Sequence, residues 1–361
     1  MFYFRGQISL KGLGQIFAML INLAAFVIIV AGLKAAQSLL VPIFLALFLS
    51  LICAPLILWL KRKRIPVWLG VIISLLLLVG FEAVVGTLIG TSLADIMNRL
   101  PQFQHQFDQL QSQVFTWLKQ RGLITNDFQM IRLFQPARVI PLLTGTLKNF
   151  GGMLSNTLFV LLTFVFMLFE TGAISLKVRA MVSEKPEALR EFNNLLKSIN
   201  RFIAVKTLTS LATGLLISLW LYILRLDYVL LWGVLAFFLN FIPTIGSFIA
   251  AVPAVLFSLL QLGFWKTMLV VVGYLVVNLL IGNVLEPRFM GQTVGLSPLV
   301  VFLSMTFWGW VLGPVGMLLS VPLTIIVKIV ANTHSQTRWI AILLGTTKEA
   351  ETLLEQRHNK T

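Results

Sequence analysis

The sequence predicts an all-α polytopic membrane protein with eight hydrophobic segments, two of them broken, and a small helical extracytoplasmic cap. Three observations carry this. Of 361 residues, 58% are hydrophobic and 11% charged, and the mean hydropathy is +0.93. The apolar residues also fall into runs close to the ~20 that cross about 30 Å of hydrocarbon. A composition of this kind cannot be arranged as a soluble globule.

Six uninterrupted runs are candidate spans: 16–33, 38–60, 66–91, 152–169, 202–222 and 265–285. The first is long, lacks a small-residue cleavage site and leads straight into the second, so it reads as a retained helix and not a signal peptide. Two further runs, 228–260 and 297–331, are each split by helix breakers, Pro243-Thr244-Ile245-Gly246 and Gly313-Pro314-Val315-Gly316. Irregular backbone at membrane depth survives only inside the protein or along a polar cavity. A pair of such breaks therefore points to a transport pathway.

The formal charge of +15 suggests nucleic acid, but its distribution argues against it. The basic residues sit in short loops and tails: Arg5 and Lys11 before the first run, Lys61 to Arg64 after the second, and Lys328, Arg338, Lys348, Arg357 and Lys360 near the end. The positive-inside rule places these segments, and both termini, in the cytoplasm. The expected organisation is three transmembrane helices in 1–91, the cap in 92–150, a fourth helix and cytoplasmic linker in 151–200, a transport core in 201–331 and a tail in 332–361.

In the cap, Leu100, Phe103, Phe107, Leu110, Val114 and Trp117 recur at steps of three and four, the seam of an amphipathic helix. Its partner is either a later part of the cap, such as Val139, Leu143 and Leu147, or the same helix in a neighbouring subunit. The linker carries a second helical pattern, Leu189, Phe192, Leu196 and Ile199, beginning after Pro186.

Enzyme chemistry has little to stand on. The chain holds one cysteine, Cys53, within an apolar run, and three histidines, His105, His334 and His358, outside the runs. These cannot form a metal cluster or a thiol nucleophile with its base, and no phosphate-binding glycine loop is present. No cofactor is expected.

The second half of the chain reads as a repeat of one span followed by one broken run. If each broken run is a re-entrant hairpin, the repeat is inverted, and the tips Asn240 to Gly246 and Gly313 to Gly316 meet near the bilayer midplane. The competing reading is a single kinked, tilted helix for each run. Asn240, Pro243, Thr244 and Gly246, with Gly313, Pro314 and Gly316, are the candidate substrate pathway. Asn278 and Asn283 either join it or bond between helices.

Polar groups within apolar runs are costly. Glu82 lies deep in the third run, and Glu286 and Arg288 flank Pro287 at the end of the sixth. These three are candidates for a gate or for ion coupling. Lys206 is expected to snorkel to the cytoplasmic surface, and Glu170 to be solvated at the interface.

Three stretches together resemble the autoinducer-2 exporter family of bacterial permeases. They are Asn240 to Gly246, Gly282-Asn283-Val284-Leu285-Glu286-Pro287-Arg288-Phe289-Met290-Gly291, and Leu296 to Val301. Residues Phe307 to Thr324 are similar in particular to the autoinducer-2 exporter branch. The resemblance implies an inner-membrane permease that releases a small polar metabolite, the quorum-sensing furanone autoinducer-2. It also implies a homo-oligomer, a pentamer among its forms. Other members of the family are linked to sodium/proton antiport, which would make a proton or sodium ion a partner. Many such relatives carry Gln and Glu where this chain has Leu279 and Ile281, which weakens a borrowed cation mechanism. Export of a small polar metabolite is the leading expectation. Antiport is the alternative, and a non-transporting membrane scaffold whose cap binds a partner is a third.

Overall fold

A computed structural model describes residues 10–99, 157–181, 186–243, 245–290, 295–333 and 336–358, with 102, 112, 116 and 119–121 in addition. Every extended element among them is a helix. Helices α1 (Leu10–Ala35) and α2 (Gln37–Arg62) are joined through Ala36. Lys61 and Arg62 occupy the last turn of α2, where cations complement the helix dipole. Extended Pro66 then starts α3 (Val67–Asn98), which outruns the 66–91 expected from hydropathy. The cap seam lies outside the described residues.

Helix α4 (Thr157–Met181) packs with α2 and α3 through Ala46, Val71, Val160 and Phe164. The linker pattern and the fifth run are one continuous helix, α5 (Pro186–Ile223), because proline is tolerated at a first helical position and nothing after it interrupts the chain.

The first broken run forms α6 (Val229–Leu239) and α7 (Gly246–Leu262), separated by irregular residues. The two helices lie side by side, with the rings of Trp232 and Phe257 5.5 Å apart. The sixth run is α8 (Phe264–Asn278), a widened π segment over Leu279–Leu285, and α9 (Glu286–Met290). The second broken run is α10 (Pro298–Thr333), interrupted by non-helical Gly313. Helices α11 (Arg338–Leu344) and α12 (Thr347–His358) end the described chain.

Among the described residues, five helical stretches are long and apolar enough to cross a membrane: Gln37–Arg62, Val67–Asn98, Leu196–Ile223, Phe264–Phe289 and Pro298–Asn332. Large apolar side chains such as Leu76, Leu215 and Trp265 face outward, as lipid-facing helices require. One buried core joins α3, α5, α6, α7 and α8 around Ile217, Trp232, Phe257 and Val270. Another joins α2, α5 and α10 around Phe48, Ile203, Val311 and Leu312, and includes Phe241 from the first break. Helices α5 and α6 approach at two glycines: a Cβ on Gly214 would lie 2.8 Å from the Gly233 carbonyl oxygen. Small residues permit such backbone contact in membrane bundles.

Candidate transport pathway

The first break is built by residue type. Pro243 offers no amide donor, and α6 ends with the Asn240 amide donating to the Ala236 carbonyl at 3.0 Å. At Gly246 a Cβ would sit 1.8 Å from the Leu239 carbonyl oxygen, so the return of the chain into α7 needs glycine. The turn folds α7 back along α6, and the Asp227 amide donates to Gln261 Oε1 at 2.9 Å across the far end of the pair. Pro243 and Gly246 are buried. Thr244 lies outside the described residues.

The second break follows the same logic with different residues. Gly313 adopts φ 69°, ψ −154°, a conformation that favours glycine, and Pro314 follows it. At Gly316 a Cβ would lie 2.0 Å from the Trp308 carbonyl oxygen. The two arms of α10 run antiparallel. Trp308 Nε1 donates to Thr324 Oγ1 at 3.1 Å, and that hydroxyl donates to Ser304 Oγ at 2.8 Å. Twenty residues of unbroken helix would hold Ser304 and Thr324 about 30 Å apart. Beside the tip, Lys34 lies 3.8 Å from the Trp310 ring centroid.

Against the first break lies a polar stripe on α5. Lys206, Thr209, Ser210 and Thr213 are all buried and recur at helical spacing, which puts them on one face. Asn240, only 8% exposed, donates from Nδ2 to Ser210 Oγ at 3.0 Å. One turn away, Lys206 Nζ donates to Glu286 Oε1 at 2.7 Å. The expectation that Lys206 snorkels is corrected here. Its side chain is 5% exposed, and its charge is met by a carboxylate eighty residues later instead of by water.

Glu286 reaches this face because the π segment precedes it. Its amide donates to the Ile281 carbonyl, a five-residue step that shifts its register by about one residue relative to a continued α-helix. Arg201 of α5 donates to the Phe289 carbonyl at 3.1 Å, fixing α9 against α5.

The other sequence-predicted residues are not gathered here. Asn278 is half-buried and Asn283 exposed, and neither side chain forms a hydrogen bond among the described residues, so the interhelical bonding expected of them is not seen. Arg288 and Pro314 are exposed. Glu82 is half-buried in α3, without an ion-pair partner among the described residues, and Glu170 pairs with exposed Lys177. At the opposite end of the bundle, Arg99 bridges Asp95 at 3.2 Å and Asp227 at 3.7 Å, while the Tyr228 hydroxyl donates to Asp95. Among the described residues no three His, Cys, Asp or Glu side chains cluster to hold a metal.

Sequence reasoning missed the α5 stripe. The signal was available: Lys206, Thr209, Ser210 and Thr213 stand three and four apart within an otherwise apolar run.

Residues 23–336 match the family model described as AI-2E family transporter. The chain is 38% identical over 338 residues to the AI-2 transport protein TqsA of Escherichia coli, covering 94% of this chain and 97% of that protein. It is 37% identical over 328 residues to YhhT of the same organism, covering 90% and 93%. A Borreliella burgdorferi relative is 30% identical over 326 residues, 88% of each chain. The latter two carry names that state transport and no substrate. A match spanning both broken runs, the π segment and the α5 stripe means that this chain belongs to the AI-2E family of transporters.

Proposed function

We propose that this multi-pass membrane protein is a secondary exporter of a small polar metabolite, and that the metabolite is autoinducer-2. The observation that carries the reading is the contact between Asn240 and the buried α5 stripe. Buried hydroxyl and amide groups, at a place where the backbone is broken, are what a small hydroxylated molecule would exchange hydrogen bonds with. The name of TqsA supports the choice of metabolite.

In this reading the two broken runs are re-entrant hairpins of an inverted repeat, completing eight membrane segments. The first would enter from the end marked by Asp227 and Gln261, the second from the end marked by Gly295 and Lys328. In support, Phe241 beside one tip and Val311, Leu312 and Val315 around the other share one buried cluster. The helix start at Gly246 and the second arm of α10, which begins at Pro314, would then turn positive dipole ends towards the same region. Both termini would be cytoplasmic, and the cap would join subunits in a homo-oligomer.

The test is retention of autoinducer-2 in cells lacking other exporters. The wild-type protein should lower the intracellular pool and Gly246→Leu, present in the membrane in equal amount, should not; equal pools would sink the reading. Sodium/proton antiport is the second reading, favoured by Glu82, half-buried in α3 without an ion-pair partner among the described residues. It requires sodium-driven proton movement that Glu82→Gln abolishes.

A further inference from the structure

We infer that Lys206 is a fixed counter-cation of the transport core. Its ammonium takes the place beside Glu286 that a mobile sodium ion or proton would otherwise have to fill, so no cation need be loaded there for transport. The inference rests on the transport role of the family and is independent of the metabolite carried.

Three observations and one principle combine. The two charged groups are 2.7 Å apart, with side chains 5% and 18% exposed, so each is largely removed from water and each needs the other. A buried carboxylate without a cation must take up a proton or recruit an ion. Among the described residues no other basic group reaches Glu286: Arg201 donates to the Phe289 carbonyl, and Arg288, on Glu286's own helix, is exposed. Finally, Lys206 lies on the same α5 face as Ser210, which holds Asn240 at the first break. The counter-charge is thus built into the helix that contacts the pathway.

Two hydroxyls on the Lys206 face leave its ammonium to Glu286. Thr209 donates to the Lys206 carbonyl at 3.2 Å, and Thr213 to the Thr209 carbonyl at 2.9 Å. Both therefore turn to the backbone of their own helix and not to the ion pair. The π segment delivers Glu286 to this helix, and Pro287 directly after it limits how the turn can relax. The pair is formed by two segments eighty residues apart in sequence, so a charge added to either segment alone would be uncompensated.

Thermal unfolding of the purified full chain in detergent tests this without any transport assay. It is followed in sodium, potassium and N-methylglucamine chloride at equal ionic strength and at several pH values. The wild type is expected to melt at the same temperature in all three salts, and so is Lys206→Arg, which keeps the charge. Lys206→Met is expected to melt lower and to recover in sodium or on acidification, as Glu286 gains a cation or a proton. Filling such a site at about a hundred times its dissociation constant gives a rise of roughly 3–5 °C in a chain of this length. Lys206→Met/Glu286→Gln should lose both responses.

Sodium stabilisation of the wild type that vanishes in Glu286→Gln would overturn the inference. So would a folded Lys206→Met that ignores both sodium and pH. Should Lys206→Met fail to accumulate, the double variant decides. Recovery of folded protein identifies the unpaired carboxylate as the defect, and no recovery overturns the assignment. Failure of autoinducer-2 export would leave these melting results unchanged, so the two readings stand or fall separately.

Discussion

Asn240 Nδ2 donates to Ser210 Oγ at 3.0 Å, tying the break between α6 and α7 to the middle of α5. Both groups are buried, so neither can exchange its partner for bulk water. Removing one leaves the other unsatisfied, at a cost of about 1–3 kcal/mol. Ser210→Ala should lower stability by about that amount and reduce flux, while Ser210→Thr, which keeps a hydroxyl, should lose less of both. Unfolding midpoints and vesicle flux measured on the same preparations check this.

Among the described glycines, the closest approaches to backbone atoms are at the breaks. A Cβ would lie 1.8 Å from the Leu239 carbonyl oxygen at Gly246 and 2.0 Å from the Trp308 carbonyl oxygen at Gly316. Gly246→Leu and Gly316→Leu should abolish flux while membrane insertion persists, because insertion depends on the hydropathy of the run and not on the turn. Even alanine at either position should destabilise by more than about 2 kcal/mol through forced backbone movement. Membrane-fraction abundance beside flux separates the two effects.

The arms of α10 should cross-link. Ser304 and Thr324 are joined by a 2.8 Å hydrogen bond, so Ser304→Cys/Thr324→Cys, in a chain with Cys53→Ser, should form a disulfide under mild oxidation. In one continuous helix those positions would stand about 30 Å apart. A shift between oxidised and reduced protein after cleavage within 305–323 reads the result, and its absence would contradict the folded-back arrangement.

Much of this was legible in the chain. The membrane class follows from composition. The places where helices end follow from Pro243, Gly246, Gly313 and Pro314, since proline removes a donor and glycine admits backbone that other residues cannot. What was not legible is what depends on distant partners. Lys206 looks like an interfacial residue in its own helix, and only the fold brings Glu286 to it. The π segment over Leu279–Leu285 has no composition that distinguishes it from α-helix, yet it sets the direction of Glu286. The continuity of α5 from Pro186 was hidden by the polar residues before 202, which read as a linker, although helical periodicity runs through them.

The bridge at the other end of the bundle should matter far less for stability. Arg99, Asp95 and Asp227 side chains are each more than 40% exposed, and exposed pairs contribute about 1 kcal/mol or less. Arg99→Ala should therefore shift the melting temperature by no more than about 2–4 °C, and less at high salt. A melting scan in low and high salt checks both statements.

The most direct measurement is uptake of labelled autoinducer-2 into proteoliposomes carrying the wild type or Asn240→Ala, with protein incorporation matched. Saturable flux by the wild type and its loss in Asn240→Ala is the expected result, since the amide links the break to the α5 stripe. No flux by the wild type, or equal saturable flux by both proteins, would contradict export through the broken helices.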